Sequence, residues 1–134
     1  MKTPLEIVSI DDAVGIVKSG DRVFFQGAAM TPNFLIDKLC ERYEELENVE
    51  IVQIHTDGEA KYILEPYNKA FRVNSFFVGA NVRKGINSNA GDYIPIFLSE
   101  IHWLFRRNIL PLDVAFIQVS PPDKHGYCSL GVSV

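Results

Sequence analysis

The sequence predicts an α/β protein built on an open, mostly parallel sheet flanked by helices, and three observations predict it. Short apolar runs rich in β-formers recur along the chain, at RVFFQ (residues 22–26), VEIVQI (49–54), FRVNSFFV (71–78) and LDVAFIQVS (112–120). Segments with helical apolar spacing, at 31–46 and 95–108, lie between runs of this kind. The last run is almost uniformly apolar, as strands are when helices cover both faces of a parallel sheet.

The elements follow in order. Ser9 with Asp12 reads as an N-cap with an acid at N3, a variant of the capping box. Ala13, Val14, Ile16 and Val17 then give a short helix its apolar side, and Gly20 is placed to stop it. The strand at 22–26 ends on Gly27, which lets the chain turn sharply. Thr31 is expected to cap, and Pro32 to open, the helix TPNFLIDKLCERYEEL, whose Phe34, Leu35, Leu39 and Tyr43 fall near one face. After the strand at 49–54, HTDGEAKYILEPYNKA holds one or two short helical turns at most. The third strand, 71–78, ends at Gly79; residues 80–88 form a short helix or turn, and NSNAGD reads as a polar loop. PIFLSEIHWLFRRN carries Phe97, Ile101, Leu104 and Phe105 at helical intervals, with Arg106 and Arg107 suited to the helix dipole and Trp103 expected in core or interface. Residues 114–119 make a last buried strand, 120–124 a loop, and 127–134 a second apolar element that has barely begun. The chain is therefore expected to continue beyond Val134.

With 134 residues, 47% hydrophobic and 22% charged, the chain has the size and composition of one soluble domain, residues 1–134. A net charge of −4 offers no general attraction to nucleic acid or an anionic membrane. Cys40 and Cys128 form no CxxC pair and suggest neither a metal site nor a stapled secreted scaffold, so a reduced, cytoplasmic chain is expected. MKTPLEIVSIDD turns acidic too early for a signal peptide, and no apolar run approaches the roughly eighteen residues of a membrane span.

In open parallel sheets the ligand lies outside the carboxyl ends of the strands. That rule selects QGAAMTPN, HTDGEA, GANVRKGIN and SPPDKHGYC, all rich in small, polar or turn-forming residues. Small residues at 27–29 allow close backbone approach, and the following helix start offers amide hydrogens to an anion or carbonyl oxygen; a plain strand-to-helix turn is the alternative. The lysine and glycine spacing of a P-loop is absent, as is GxGxxG. His55, Asp57 and Glu59 have no local partner pattern, and with His102 and His125 the only other histidines zinc is not expected; Asp57-Gly58 reads as a turn. Arg83 and Lys84 suit phosphate or carboxylate, and Asn81 a carbonyl, although a solvated basic turn accounts for them equally. Two prolines stiffen the loop holding Ser120 and His125, but without GxSxG or an acid partner these make no hydrolase triad.

Four of these stretches carry a resemblance. SPPDKHGYCSLGVSV, FFVGANVRKGIN, DYIPIFLSEI and IHTDGEAKY make the chain, from about Gly20 onward, similar to the N-terminal domain of the acetyl-CoA hydrolase/transferase family, the acetate and 4-hydroxybutyrate coenzyme A transferases. The loop NSNAGDY departs from that family, which carries an arginine there. The resemblance implies ping-pong CoA transfer between an acyl-CoA and a small carboxylic acid such as acetate, butyrate or 4-hydroxybutyrate, by covalent catalysis at a glutamate. That glutamate, and the glycine-rich loops that bind CoA, belong to the family's C-terminal domain, which is expected as the missing partner; no residue of this chain, Glu59 included, inherits the role. Coenzyme A is then a substrate, no tightly bound cofactor is implied, and a homo-oligomer is expected. The strand-end loops are implied to line the acyl and oxyanion region, with Gln26, Gly27, Ala28, Ala29, Met30, Thr31, Asn81 and Ser120 as substrate-binding candidates. Two alternatives remain: an acyl-CoA hydrolase, in which water replaces the acceptor, and a non-catalytic binding module.

Overall fold

The computed structural model describes residues 6–133. Residues 1–5, which form part of the stretch read against a signal peptide, and Val134 lie outside them. Strands β1 (Arg22–Phe25), β2 (Val49–Gln53), β3 (Phe71–Ser75), β4 (Gly91–Tyr93) and β5 (Val114–Phe116) form one sheet in the order β4-β3-β2-β1-β5. Every pairing is parallel. The chain winds outward from β1 to β4 and then returns to the other side of β1, so the winding reverses between β1 and β5.

Alternation along the strands divides the core. Val23, Phe25, Ile51 and Val73 point to the face covered by helices α1 (Ile10–Gly15), α2 (Asn33–Cys40) and α3 (Ala80–Asn87), where the larger cluster lies. Phe24, Val52 and Phe76 point to the other face, under α4 (Ile101–Arg106), with Ile101, Leu104 and Phe105 packed on them. The amino half of that second face is polar: Arg22 pairs with Glu50 at 2.6 Å, Asn74 donates to Glu50, and Arg72 pairs with Asp92 at 2.7 Å. The single helix α4 thus meets the apolar, carboxyl half of its face.

Local signals behave unevenly. Ser9 Oγ accepts from the Asp12 amide at 3.1 Å, the expected cap. Helix α1 ends at Gly15, before Gly20, because Arg42 reaches back and donates to the Val14 and Val17 carbonyls at 2.6 and 3.1 Å. Helix α2 is shorter than the pattern predicts and is not capped by Thr31; Pro32 holds that place, and the chain continues past Cys40 as turns. Ile36, Leu39 and Cys40 make its buried face, whereas Phe34 is 77% exposed.

Further expectations are corrected or narrowed. NSNAGD is not only loop, for Gly91 opens β4, where a Cβ would lie 2.7 Å from the Val73 carbonyl oxygen; an edge strand paired on one side needs no apolar pattern. The helix expected over 95–108 is α4 preceded by a 3₁₀ turn, Leu98–Glu100, and Phe97 is left 76% exposed. Trp103 is not core: it is 43% exposed, with the Arg107 guanidinium 4.7 Å from its ring centroid. Strand β5 ends at Phe116, at the edge of the sheet beside β1, and Ala115 and Ile117 are exposed. Residues 117–133 add no helix or strand. There Ser120 and Ser129 close a loop, through Ser120 N to Ser129 O at 3.0 Å and Ser129 N to Ser120 Oγ at 2.9 Å. Asp123 Oδ1 inside it accepts from the amides of His125 and Tyr127 at 2.8 and 2.9 Å.

Candidate active site at the strand carboxyl ends

Beyond the carboxyl ends of the strands the sheet opens into an apolar groove of two joined lobes. One, of about 490 Å³, lies over Ile54, Phe76, Phe77, Phe97 and Leu98. The other, of about 400 Å³, is bounded by Phe24, Gly27, Ala28, Ile117 and Leu130. Ile54, His55 and Leu98 belong to both and form the neck. The second lobe lies where the winding reverses, the position at which open α/β sheets hold ligands.

Three crossing loops are latched together to make this wall. Gly27 crosses β2's exit so closely that a Cβ would lie 2.2 Å from the His55 carbonyl oxygen. Ala28 takes a left-handed conformation (φ 51°), and its amide donates to His55 O at 3.1 Å. Thr31 Oγ1 donates to Ala28 O at 2.7 Å and accepts from the Asp57 amide at 3.0 Å. From the third loop, Asn81 Nδ2 donates to the carbonyls of Thr56 and Gly58 at 2.8 and 3.2 Å. Beneath them Tyr62, buried, donates its hydroxyl proton to Gln53 Oε1 at 2.8 Å, so the 2.7 Å contact with Thr56 Oγ1 must be donated by the threonine. Burial pushes the Tyr62 phenol well above its ordinary range, which keeps it a donor at any working pH.

The residues singled out in the sequence fall into separate roles. Gln26 is buried, and its amide accepts from Gln118 N at 2.7 Å and donates to Ser133 O at 2.6 Å, pinning the segment after β5. Gly27 and Ala28 face the groove, Ala29 is exposed beside them, and Met30 packs against Gly131. Among the described residues, the amide hydrogens of Gly27 and Ala29 have no partner. Thr31 and Asn81 are the latches just described. Ser120 is exposed in its loop and borders neither lobe.

His55 stands at the neck, its ring edge-on to Phe77 at 5.9 Å between centroids. Asp57 and Glu59 are exposed, and Glu59 approaches Lys61 Nζ only at 3.9 Å. Among the described residues, no cluster of three His, Cys, Asp or Glu side chains is placed to hold a metal, and no helix is long and apolar enough to cross a membrane. Arg83 and Lys84 are exposed on α3. The NSNAGD loop lies at the amino end of β4, the opposite end of the sheet from the groove. Sequence reasoning missed the groove's floor. Its aromatic residues sit in FRVNSFFV and PIFLSEI, where periodicity assigns them to a strand and a helix face.

Comparison with known proteins places this geometry. Residues 4–134 match the model for the acetyl-CoA hydrolase/transferase N-terminal domain. The chain is 47% identical over 129 residues to a succinyl-CoA:acetate/propanoyl-CoA:succinate CoA transferase of Fasciola hepatica, covering 92% of this chain and 26% of that protein. It is 40% identical over 128 residues to the 4-hydroxybutyrate coenzyme A transferase of Clostridium kluyveri, covering 96% of this chain and 30% of that one. The crystal structure of RipA from Yersinia pestis matches with a TM-score of 0.79 at 25% identity, over 93% of this chain and 31% of that chain. That of 4-hydroxybutyrate CoA-transferase from Porphyromonas gingivalis matches at 0.72 and 28%, over 93% and 27%. The chain therefore spans less than a third of the length of each of these proteins. With the family match running from residue 4 to residue 134 and the parallel sheet in agreement, the chain belongs to the acetyl-CoA hydrolase/transferase family, whose N-terminal domain it carries.

Proposed function

We propose that this chain forms one wall of a coenzyme A transferase, a protein that moves CoA between an acyl-CoA and a small carboxylic acid. A glutamate outside this chain attacks the acyl-CoA carbonyl and expels CoA thiolate, leaving an acyl-glutamyl anhydride. The thiolate then attacks the glutamyl carbonyl, releasing the first carboxylate and leaving a glutamyl-CoA thioester that a second carboxylate resolves. The groove carries this reading: it is apolar, it opens at the strand ends of a chain of this family, and it has backbone amides at one lip. In this role Gly27, Ala28 and Ala29 face the thioester, and the amides of Gly27 and Ala29, unpartnered among the described residues, suit a developing oxyanion. Gln26, Thr31 and Asn81 hold that surface in place, while Met30 and Ser120 support the segment after β5. Coenzyme A is substrate, and no tightly bound cofactor is needed.

The reading includes a cytoplasmic setting, supported by two free cysteines, and self-association, supported by exposed apolar residues such as Phe97 and Leu98. Light scattering tests the second. The 134-residue chain alone is expected to transfer no CoA. The decisive experiment incubates the longer polypeptide containing this chain with acetyl-CoA and maps peptides by mass spectrometry. A CoA adduct on a glutamyl side chain is expected, and its absence under turnover conditions refutes the proposal. The family description also names hydrolases; release of free CoA that is indifferent to added carboxylate would favour that activity instead.

A further inference from the structure

We infer, resting on the CoA-transfer reading, that the site takes acyl groups of four or more carbons with an uncharged hydrocarbon tail, running from Gly27 and Ala28 past His55 and Leu98 into the lobe floored by Phe76 and Phe77. Both lobes are mainly apolar, and an unpartnered backbone donor sets the direction. The smaller one has at its lip the Gly27 amide, unpartnered among the described residues and a donor of the kind a thioester carbonyl needs. In the larger one the only polar side chains are those of His55 and Tyr93, and the rest of the lining is aromatic or aliphatic.

Size and charge narrow the ligand. Each lobe has a volume of the order that holds a small ligand. An acetyl group held at Gly27 would have no tail to place in the larger lobe, forgoing the apolar burial that a longer tail gains. Among the described residues no lysine or arginine lines either lobe. The nearest sequence candidate, Arg83, turns its guanidinium back to the Val78 carbonyl at 3.4 Å. A dicarboxylic acyl group such as succinyl would place its distal carboxylate against Phe76, Phe77 and Phe97 without a cation, a desolvation that the wall does not offset.

The test uses the full-length polypeptide containing this chain, with propionate as the fixed acceptor and acetyl-, butyryl-, hexanoyl- and succinyl-CoA as donors. The expected kcat/KM rises about fourfold per added methylene from acetyl to butyryl, about fifteenfold in all, and is retained for hexanoyl. Butyryl-CoA should exceed succinyl-CoA by about tenfold or more. Phe77 is 60% exposed, so Phe77→Arg is tolerable to the fold and supplies the missing cation. It should raise the succinyl-to-butyryl ratio about tenfold. Acetyl- or succinyl-CoA equalling butyryl-CoA overturns the inference while leaving CoA transfer intact, and an unchanged ratio in Phe77→Arg overturns the tail's placement. Transfer from none of the four donors removes the parent reading, and this inference with it.

Discussion

Tyr62→Phe deletes one oxygen atom and is expected to destabilise the fold by about 3–5 kcal/mol. The hydroxyl holds two short hydrogen bonds, to Gln53 Oε1 and from Thr56 Oγ1, in a region closed to solvent. Each such bond contributes about 1 kcal/mol net, and stranding the Gln53 carbonyl oxygen adds a desolvation cost of about 1–3 kcal/mol. Gln53 cannot escape: its side chain is fully buried, with its amide nitrogen 3.4 Å from Ser75 Oγ, whose own proton goes to the Phe77 carbonyl at 2.6 Å. For a domain of this size a loss of about 3 kcal/mol lowers the melting temperature by roughly 10 °C. Urea unfolding followed by circular dichroism checks it, with an unchanged m-value showing that stability alone moved. Tyr43→Phe is the control, since that hydroxyl meets Glu44 at the surface, and its midpoint should not shift. A loss below about 0.5 kcal/mol in Tyr62→Phe would refute the claim that this buried network braces the site's wall.

Gly27→Ala should lower the melting temperature by several degrees and weaken acyl-CoA turnover in the longer polypeptide, because its Cβ meets the His55 carbonyl oxygen at 2.2 Å. Gly15→Ala meets nothing within 4 Å at the end of α1 and should be neutral or stabilising by about 0.4–1 kcal/mol; equal effects in the two melts would contradict the crossing geometry. Burial raises the Cys40 thiol from 9.0 to about 12, whereas Cys128 is exposed, so a thiol reagent at pH 8 should modify one cysteine in the native chain and two after denaturation. Because the folded thiol titrates above the unfolded one, this stability is fully present below pH 9.0 and is lost as pH climbs toward about 12, which pH-dependent unfolding will show. Glu50→Ala leaves the partly buried Arg22 guanidinium and the Asn74 amide without their acceptor and should cost about 1–2 kcal/mol in urea, with no loss expected only if solvent replaces the carboxylate.

The wall at the strand ends is stiff for a reason that bears on its use. Asn81, Thr31 and Tyr62 come from three segments; Thr31 ties together the turns that follow β1 and β2, and Asn81 and Tyr62 anchor the second of these. The surface offered to a ligand is therefore backbone at one lip and hydrocarbon elsewhere. Such a surface fits one side of a cleft that orients a substrate while another element performs the chemistry.

Much of the fold class was readable from residue order alone. Apolar runs alternating with helical spacing specify parallel strands joined by helices, and the Ser9 cap lies in a few neighbouring residues. The rule that ligands gather at strand carboxyl ends points to the edge of the sheet where the groove lies, and Gly27 and Ala28 face that groove. Everything that depends on distant partners was out of reach. The polar stretch NSNAGD yields β4 because β3 supplies its hydrogen bonds, and Asn81, Thr31 and Gln26 hold the protein together because a carbonyl or amide from another segment sits within reach. Phe77, Phe97 and Leu98 are as apolar as any core residue, yet they stand open at the groove. Hydrophobicity belongs to the side chain, whereas burial depends on which other elements the tertiary fold brings over it.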